Sequence, residues 1–272
     1  MNKLLSIVMV GIMALSSCTL SARQNTKQTY TVSEKYTSLE VHNNIDVNYT
    51  VGATAPAQVE FKNGADPAKF TFEVKSGTLV MLYTGTGSVK VSLSGPAVSG
   101  IAAENNAEVK CEQMMNVNSD IRIAASNNAE VELAGASCQN LHIAAANNAE
   151  VEINRVLAAN QVEVASANNA EVEIGHTDCV KLQAAVANNG EFSASWLNST
   201  STSLAAANNA KIEVKGKCPA ADFAASSNSN IEVDELAVNH ATALATELST
   251  IHCHVGQLTI SKQDPHAVIR NK

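Results

Sequence analysis

The sequence predicts an all-β fold, a right-handed parallel β-helix (β-solenoid) with coils of roughly 20 residues. Three observations carry this. A short phrase recurs as Asn105-Asn106-Ala107-Glu108-Val109, Asn127-Asn128-Ala129-Glu130-Val131, Asn147-Asn148-Ala149-Glu150-Val151 and Asn168-Asn169-Ala170-Glu171-Val172. Looser copies follow at Asn188-Asn189-Gly190-Glu191-Phe192 and Asn208-Asn209-Ala210-Lys211-Ile212, and a worn one at Ser227-Asn228-Ser229-Asn230-Ile231. Around each copy, apolar and polar residues alternate at period two, the mark of a half-buried strand. The apolar residues are mostly small or β-branched, with only 4% aromatic, which suits a narrow stacked core better than a bulky globular one.

In chain order, residues 1–17 read as an export signal, with Lys3 as the positive region and 4–15 as a short apolar run. That run is shorter than a membrane-spanning helix needs. It ends in Leu15-Ser16-Ser17-Cys18, which resembles the bacterial lipobox. In signals of that type the cysteine is acylated and becomes the first mature residue, so Cys18 is the expected lipidation site. Each buried CH2 of an acyl chain contributes about 0.8 kcal/mol, so several chains hold firmly. Residues 18–35 then form the lipidated cysteine and a polar, flexible tether. The expected location is the cell envelope, at the outer membrane; periplasmic and surface-facing placements both fit. The formal charge of -8 becomes about -9 without Lys3. It argues against nucleic acid, whose phosphates need clustered Lys and Arg.

The solenoid is expected over residues 36–256. Up to about Gly100 the strands are longer and broken by Asn63-Gly64 and Ser76-Gly77 turns, as in hairpins capping the open end of a stack. A variant of the repeat, Asn43-Asn44-Ile45-Asp46-Val47, already occurs there. In the coil at 141–153, Leu141, Ile143 and Ala145 share one side of a strand, and His142 and Ala144 the other. Asn147-Asn148 turns the chain; Ala149, Val151 and Ile153 then point one way, Glu150 and Glu152 the other. Stacking such coils at about 4.8 Å buries the apolar sides in one column. The Leu-rich-repeat frame and the calcium-binding Gly-Gly-x-Gly-x-Asp nonapeptide are both missing from the sequence. Residues 257–272 are expected to form a C-terminal cap and tail.

Asn tolerates the left-handed conformation of a sharp corner better than other non-glycine residues. Stacked in successive coils, its amides can bond up and down the column. Asn106, Asn128, Asn148, Asn169, Asn189 and Asn209 are therefore expected to form a structural ladder and not a binding site.

With these residues in view, the chain resembles the DUF2807 family, also called the putative auto-transporter adhesin, head GIN domain. Members of that family carry a Ser-Gly-Ser-Gly-Asp-Ile type corner, which Ala146-Asn147-Asn148-Ala149-Glu150-Val151 matches in position and character. The opening from Leu39 to Val51, followed by Gly52, is similar as well. The resemblance covers residues 36–256 and implies an exported, often lipid-anchored β-helix. It brings no catalytic motif.

Two acidic columns are expected beside the corners: Glu108, Glu130, Glu150, Glu171 and Glu191, then Glu132, Glu152, Glu173 and Glu213, with Lys110 at the start of the second. Glu130, Glu150, Glu152, Glu171 and Glu173 are the candidate face for a cation or cationic partner, since Ca2+ takes carboxylates readily. The alternative is a solvated face that discourages sheet aggregation. Cys111 and Cys253 fall in inward slots. Cys138, Cys179 and Cys218 fall near one corner about two coils apart, roughly 9–10 Å, too far to bridge. His252-Cys253-His254 has the wrong parity for a metal site, so no metal and no cofactor are expected.

The expected function is a non-catalytic, lipid-anchored binding, adhesion or structural module whose partner is an envelope or extracellular protein or glycan. Its oligomeric state is open. The alternative is a carbohydrate-active enzyme, a lyase or hydrolase, on the same fold. Such sites usually pair carboxylates in a cleft beside aromatic platforms, whereas Trp196 is the only tryptophan and the acidic residues are evenly repeated.

Overall fold

The structure is a computed structural model that describes residues 25–272; the leader, Cys18 and the first part of the tether lie outside that range. The described regular structure is β-strand apart from one 3-10 turn, Pro67–Lys69. Its body is a parallel β-solenoid with three walls. The first wall stacks Ser38–His42, Gly100–Glu104, Ile121–Ser126, 141–146, 161–167, Lys181–Ala187, Ser201–Ala207, 220–226 and 240–245 in parallel. The second stacks Ile45–Val51, 108–111, 130–133, 150–153, 171–174, 191–194, 211–214, 230–233 and 250–253. A shorter third wall follows each second-wall strand, as in 135–137 on 114–116 and 176–178 on 155–157.

Period-two alternation decides what lies inside. Val109, Val131, Val151, Val172, Phe192, Ile212 and Ile231 occupy one register position of the second wall and are fully buried. Burying each such side chain contributes about 1.5–3 kcal/mol. No coil could retain that gain alone, because its apolar sides are covered only by the coils above and below. The slot after each corner takes a small residue: Ala129, Ala149, Ala170 and Ala210, all buried. Gly190 holds this slot once, because a Cβ there would sit 2.8 Å from the Ser166 carbonyl oxygen.

Each corner between the first and second walls is two consecutive left-handed residues. Asn147 and Asn148 have φ of 58° and 61°, and Asn168 and Asn169 have 57° and 63°. The two turns read from sequence share this conformation: Asn63 and Gly64 at 56° and 77°, Ser76 and Gly77 at 50° and 80°. The last two corners lack a full Asn pair, and serines brace them. Ser229 Oγ accepts from the Ser226 N–H and donates to the Ala206 carbonyl; Ser249 Oγ does the same between Thr246 and Ala225.

The stacking order departs from chain order at the N-terminal end. Ser38–His42 lies between Thr78–Tyr83 and Gly100–Glu104, and Ile45–Val51 lies between Ser88–Gly95 and Glu108–Asn116. The chain therefore lays down an inner coil first, travels outward to build the terminal one, and passes back to continue the stack. The section up to Gly100 holds full coils as well as the capping hairpins expected there. Thr26–Tyr30 pairs antiparallel with Ala55–Lys62, itself antiparallel to Ser88–Gly95, and Phe70–Lys75 pairs antiparallel with Thr78–Tyr83. Tyr30, Phe61, Phe70 and Phe72 cluster over this end at centroid distances of 5.3–6.1 Å.

Candidate binding surfaces

The corner Asn residues form two side-chain columns. Asn43, Asn105, Asn127, Asn147, Asn168, Asn188 and Asn208 make the first, each later amide donating Nδ2 to the Oδ1 before it at 2.9–3.1 Å. Asn44, Asn106, Asn128, Asn148, Asn169, Asn189 and Asn209 make the second at 3.0–3.3 Å. The column thus reaches back to Asn43 and Asn44 across a gap of 62 residues in sequence. Each interior amide spends one N–H and its oxygen on its neighbours, which leaves little for a ligand.

The acidic residues lie on the outward side of the second wall. Glu108, Glu130, Glu150, Glu171 and Glu191 are in register, as are Lys110, Glu132, Glu152 and Glu173. Ser193 separates Glu173 from Glu213 in the second column, so that column is not continuously acidic. Lysines close the patch at both ends: Lys110 on Glu132, and Lys215 on Glu213 and Glu235 at 3.2 and 3.1 Å. Glu130 shares a hydrogen bond with Glu132, is partly desolvated and faces further carboxylates, and its pKa is pushed up to about 7. Glu171 is raised by desolvation first, then by Glu173 and the in-register neighbours. Glu132 is held down, chiefly by Lys110. Repulsion in the patch thus raises the pKa of Glu130 and Glu171 and is offset at its ends by lysines. Among the described residues, no group of His, Cys, Asp and Glu is arranged to hold a metal ion.

The first wall carries a surface that sequence reading passed over. Its outward positions Ala102, Ala124, Ala144, Ala165, Ala185, Ala205 and Ala224 stand in register, and from Ala124 onward they are exposed. A second column, Ala146, Ala167, Ala187 and Ala207, runs beside them next to the corner. On the other side stand longer polar residues, Arg122, His142, Glu163 and Gln183. His142 and Glu163 pair at 2.7 Å. Short side chains between taller ones leave two adjoining recesses, about 850 and 680 Å³, which share Ala124, Ala144, Ala165, Ala185 and Ala205 in their floors. The signal was present in the sequence: alanine recurs at a parity where a solvated strand usually carries polar residues.

The cysteines other than Cys18 are free thiols. Cys111, Cys138, Cys218 and Cys253 are buried, and Cys179 is half-buried. Burial pushes the Cys138 thiol up to about 11 and Cys179 up to about 12. Cys253 points inward, fully buried, between a half-buried His252 and an exposed His254.

A family model described as putative auto-transporter adhesin, head GIN domain (DUF2807) matches residues 35–184. Solved structures share the fold. A putative adhesin from Parabacteroides merdae ATCC 43184 aligns with a TM-score of 0.62 at 12% identity, over 92% of this chain and 95% of that one. A second, from Parabacteroides distasonis ATCC 8503, has a TM-score of 0.60 at 15% identity, over 90% and 96%. A third, from Bacteroides fragilis NCTC 9343, has 0.58 at 12% identity, over 92% and 98%. No curated protein matches the chain.

Proposed function

The chain belongs to the DUF2807 family, and from that premise we propose that it is a non-catalytic binding module of the cell envelope, held to the outer membrane by a lipid on Cys18. The observation that carries this reading is the alanine-floored recess of the first wall. It is long, apolar and open, and it has polar residues along one margin. Contiguous apolar surface left exposed and rimmed by polar residues is a common mark of an interaction site. Alanine floors hold little side-chain entropy, so a partner covering them orders almost nothing on this side. A protein partner presenting a flat or extended apolar face suits the recess. The acidic patch, whose ends are closed by lysines, serves solubility.

The anchor reading is supported by Leu15-Ser16-Ser17-Cys18. The first described strand, Thr26–Tyr30, belongs to the capped end, so a tether from Cys18 would place that end toward the membrane and the alanine wall along the projecting rod. Two measurements test the proposal. An acyl-chain label should appear on the wild type and not on Cys18→Ala. The chain carrying Ala144→Glu and Ala185→Glu should lose at least tenfold in binding to envelope or extracellular protein fractions while melting as the wild type does. Undiminished binding would remove the recess from the function, and no binding by the wild type would leave a structural module.

A further inference from the structure

Trp196 is the only tryptophan in the chain, and it is not used in the core: it stands on the outward side of the third wall, 51% exposed. The backbone there departs from regular pairing. Ala194 is in register with Val214 and Leu197 with Gly216, so Ser195 and Trp196 together oppose Lys215 alone. This is a β-bulge, and it leaves Trp196 without a register partner of its own on that strand. Gly216 fixes it: its φ is +124°, and a Cβ there would lie 2.1 Å from the Leu197 carbonyl oxygen. About half of the Trp196 surface is therefore left to solvent, 51% exposed.

One flank is polar and ordered. Trp196 is in register with His176, and His176 with Arg155. Two residues further along each strand, Asp178, Asn198 and Lys217 are in register. Asn198 Nδ2 donates to Asp178 Oδ1 at 2.7 Å, and His176 Nε2 lies 2.9 Å from Asp178 Oδ2. The carboxylate and amide are thus held in place, while Asp178 keeps further lone pairs and Asn198 keeps its oxygen and a second N–H. Asp178 sits below the usual carboxylate range, chiefly through Asn198, and is an acceptor at neutral pH. Arg155 and Lys217 supply positive charge on a chain of net -8.

We propose that Trp196, His176, Asp178 and Asn198 form a glycan-binding subsite, in which a pyranose ring stacks on the indole and its hydroxyls pair with the carboxylate and amide. The inference rests on the reading of the chain as a binding module and names a ligand class for it. A sugar offers an apolar C–H face and, at its rim, hydroxyls that both donate and accept. An exposed indole beside a fixed acceptor–donor pair meets both requirements. Arg155 and Lys217 favour a glycan carrying carboxylates, such as a uronate oligomer, over a neutral one.

Because Trp196 is the sole indole, its emission reports on this subsite alone. The full chain is titrated with oligogalacturonate and, separately, with a neutral cello-oligosaccharide. Oligogalacturonate is expected to shift the emission to the blue and protect it from acrylamide, with at least fivefold weaker binding of the neutral oligomer. Calorimetry on Trp196→Ala and Asp178→Asn should show at least a tenfold loss. Trp196→Phe should retain part of the affinity, and the double variant Arg155→Ala with Lys217→Ala should erase the preference for the acidic oligomer. Each variant is compared with wild type by melting temperature, and where Trp196→Ala unfolds, the near-isosteric Asp178→Asn and the Trp196→Phe variant carry the test. No emission change with either probe, or binding unaltered by Trp196→Ala, overturns the subsite. If protein fractions still bind in a manner sensitive to Ala144→Glu, the module reading survives that outcome and only the glycan site falls.

Discussion

The side-chain amide of Asn148 donates to Oδ1 of Asn128 across 3.1 Å, while its backbone N–H donates in the opposite direction, to the Asn168 carbonyl at 3.1 Å. One residue thus ties its coil to both neighbours and also supplies a left-handed corner at φ 61°. The two roles are separable by substitution. Asn148→Ala should cost about 1–3 kcal/mol, from a left-handed Cβ penalty plus lost hydrogen bonds. Asn148→Gly should cost less, because it relieves the first and loses only the second. Urea unfolding of the pair measures the difference; equal losses would mean that backbone conformation is not what selects Asn.

The corner at Glu247 and Leu248 has φ of 52° and 63° without an Asn. Leu248 is 62% exposed, so its side chain contributes little packing to offset the strain. Leu248→Asn is expected to stabilise the protein by about 1 kcal/mol. Thermal unfolding checks this, and a fall in melting temperature would show that Leu248 makes contacts worth more than the strain.

Glu130 has a folded pKa near 7, raised from 4.5. A group raised on folding favours the folded state most below its unfolded pKa, and that contribution is lost as pH rises through the folded value. The Glu130 contribution to stability should therefore decline between about pH 4.5 and 7. Glu130→Gln should melt higher than wild type at pH 8, with the gap closing toward pH 4.5. A pH-independent gap would mean that Glu130 does not hold a proton in the folded state.

The buried thiols should resist modification at pH 8. Burial raises the pKa of Cys111, Cys138 and Cys253, and the thiolate is the reactive form. Cys179 is only half-buried and should react first in a mass-resolved iodoacetamide time course, though slowly. Cys111, Cys138, Cys218 and Cys253 should label only after denaturant is added. Rapid labelling of Cys138 in the native protein would indicate local opening of its corner.

The outward surfaces differed in how legible they were. The acidic columns could be read because Glu recurs at fixed offsets from Asn, and register did bring Glu130, Glu150 and Glu171 side by side. The break at Ser193 was visible only once the strands were aligned. The alanine wall was written in the sequence, at Ala124, Ala144, Ala165, Ala185 and Ala205, yet alanine is at home both inside and outside. Its meaning came from the taller Arg122, His142, Glu163 and Gln183 beside it. Trp196 gave no local sign of exposure; only the alignment of coils puts it at the outward position that Arg155 and His176 hold before it.

By itself the sequence determined the coil, the corner and the inside of this protein. Period two places Val131, Val151 and Val172 inward wherever their strands are stacked, and paired Asn residues accept a left-handed corner with no help from distant chain. These are local consequences of backbone geometry. Only the tertiary structure decided which coil sits next to which: Ile45–Val51 between Ser88–Gly95 and Glu108–Asn116. It alone set the register that puts Trp196 beside His176 and the relief that makes alanines the floor of a recess. The physical reason is that a strand's alternation selects a face but not a partner. Every coil here offers nearly the same edge, so order and relief follow from packing between residues far apart in the chain.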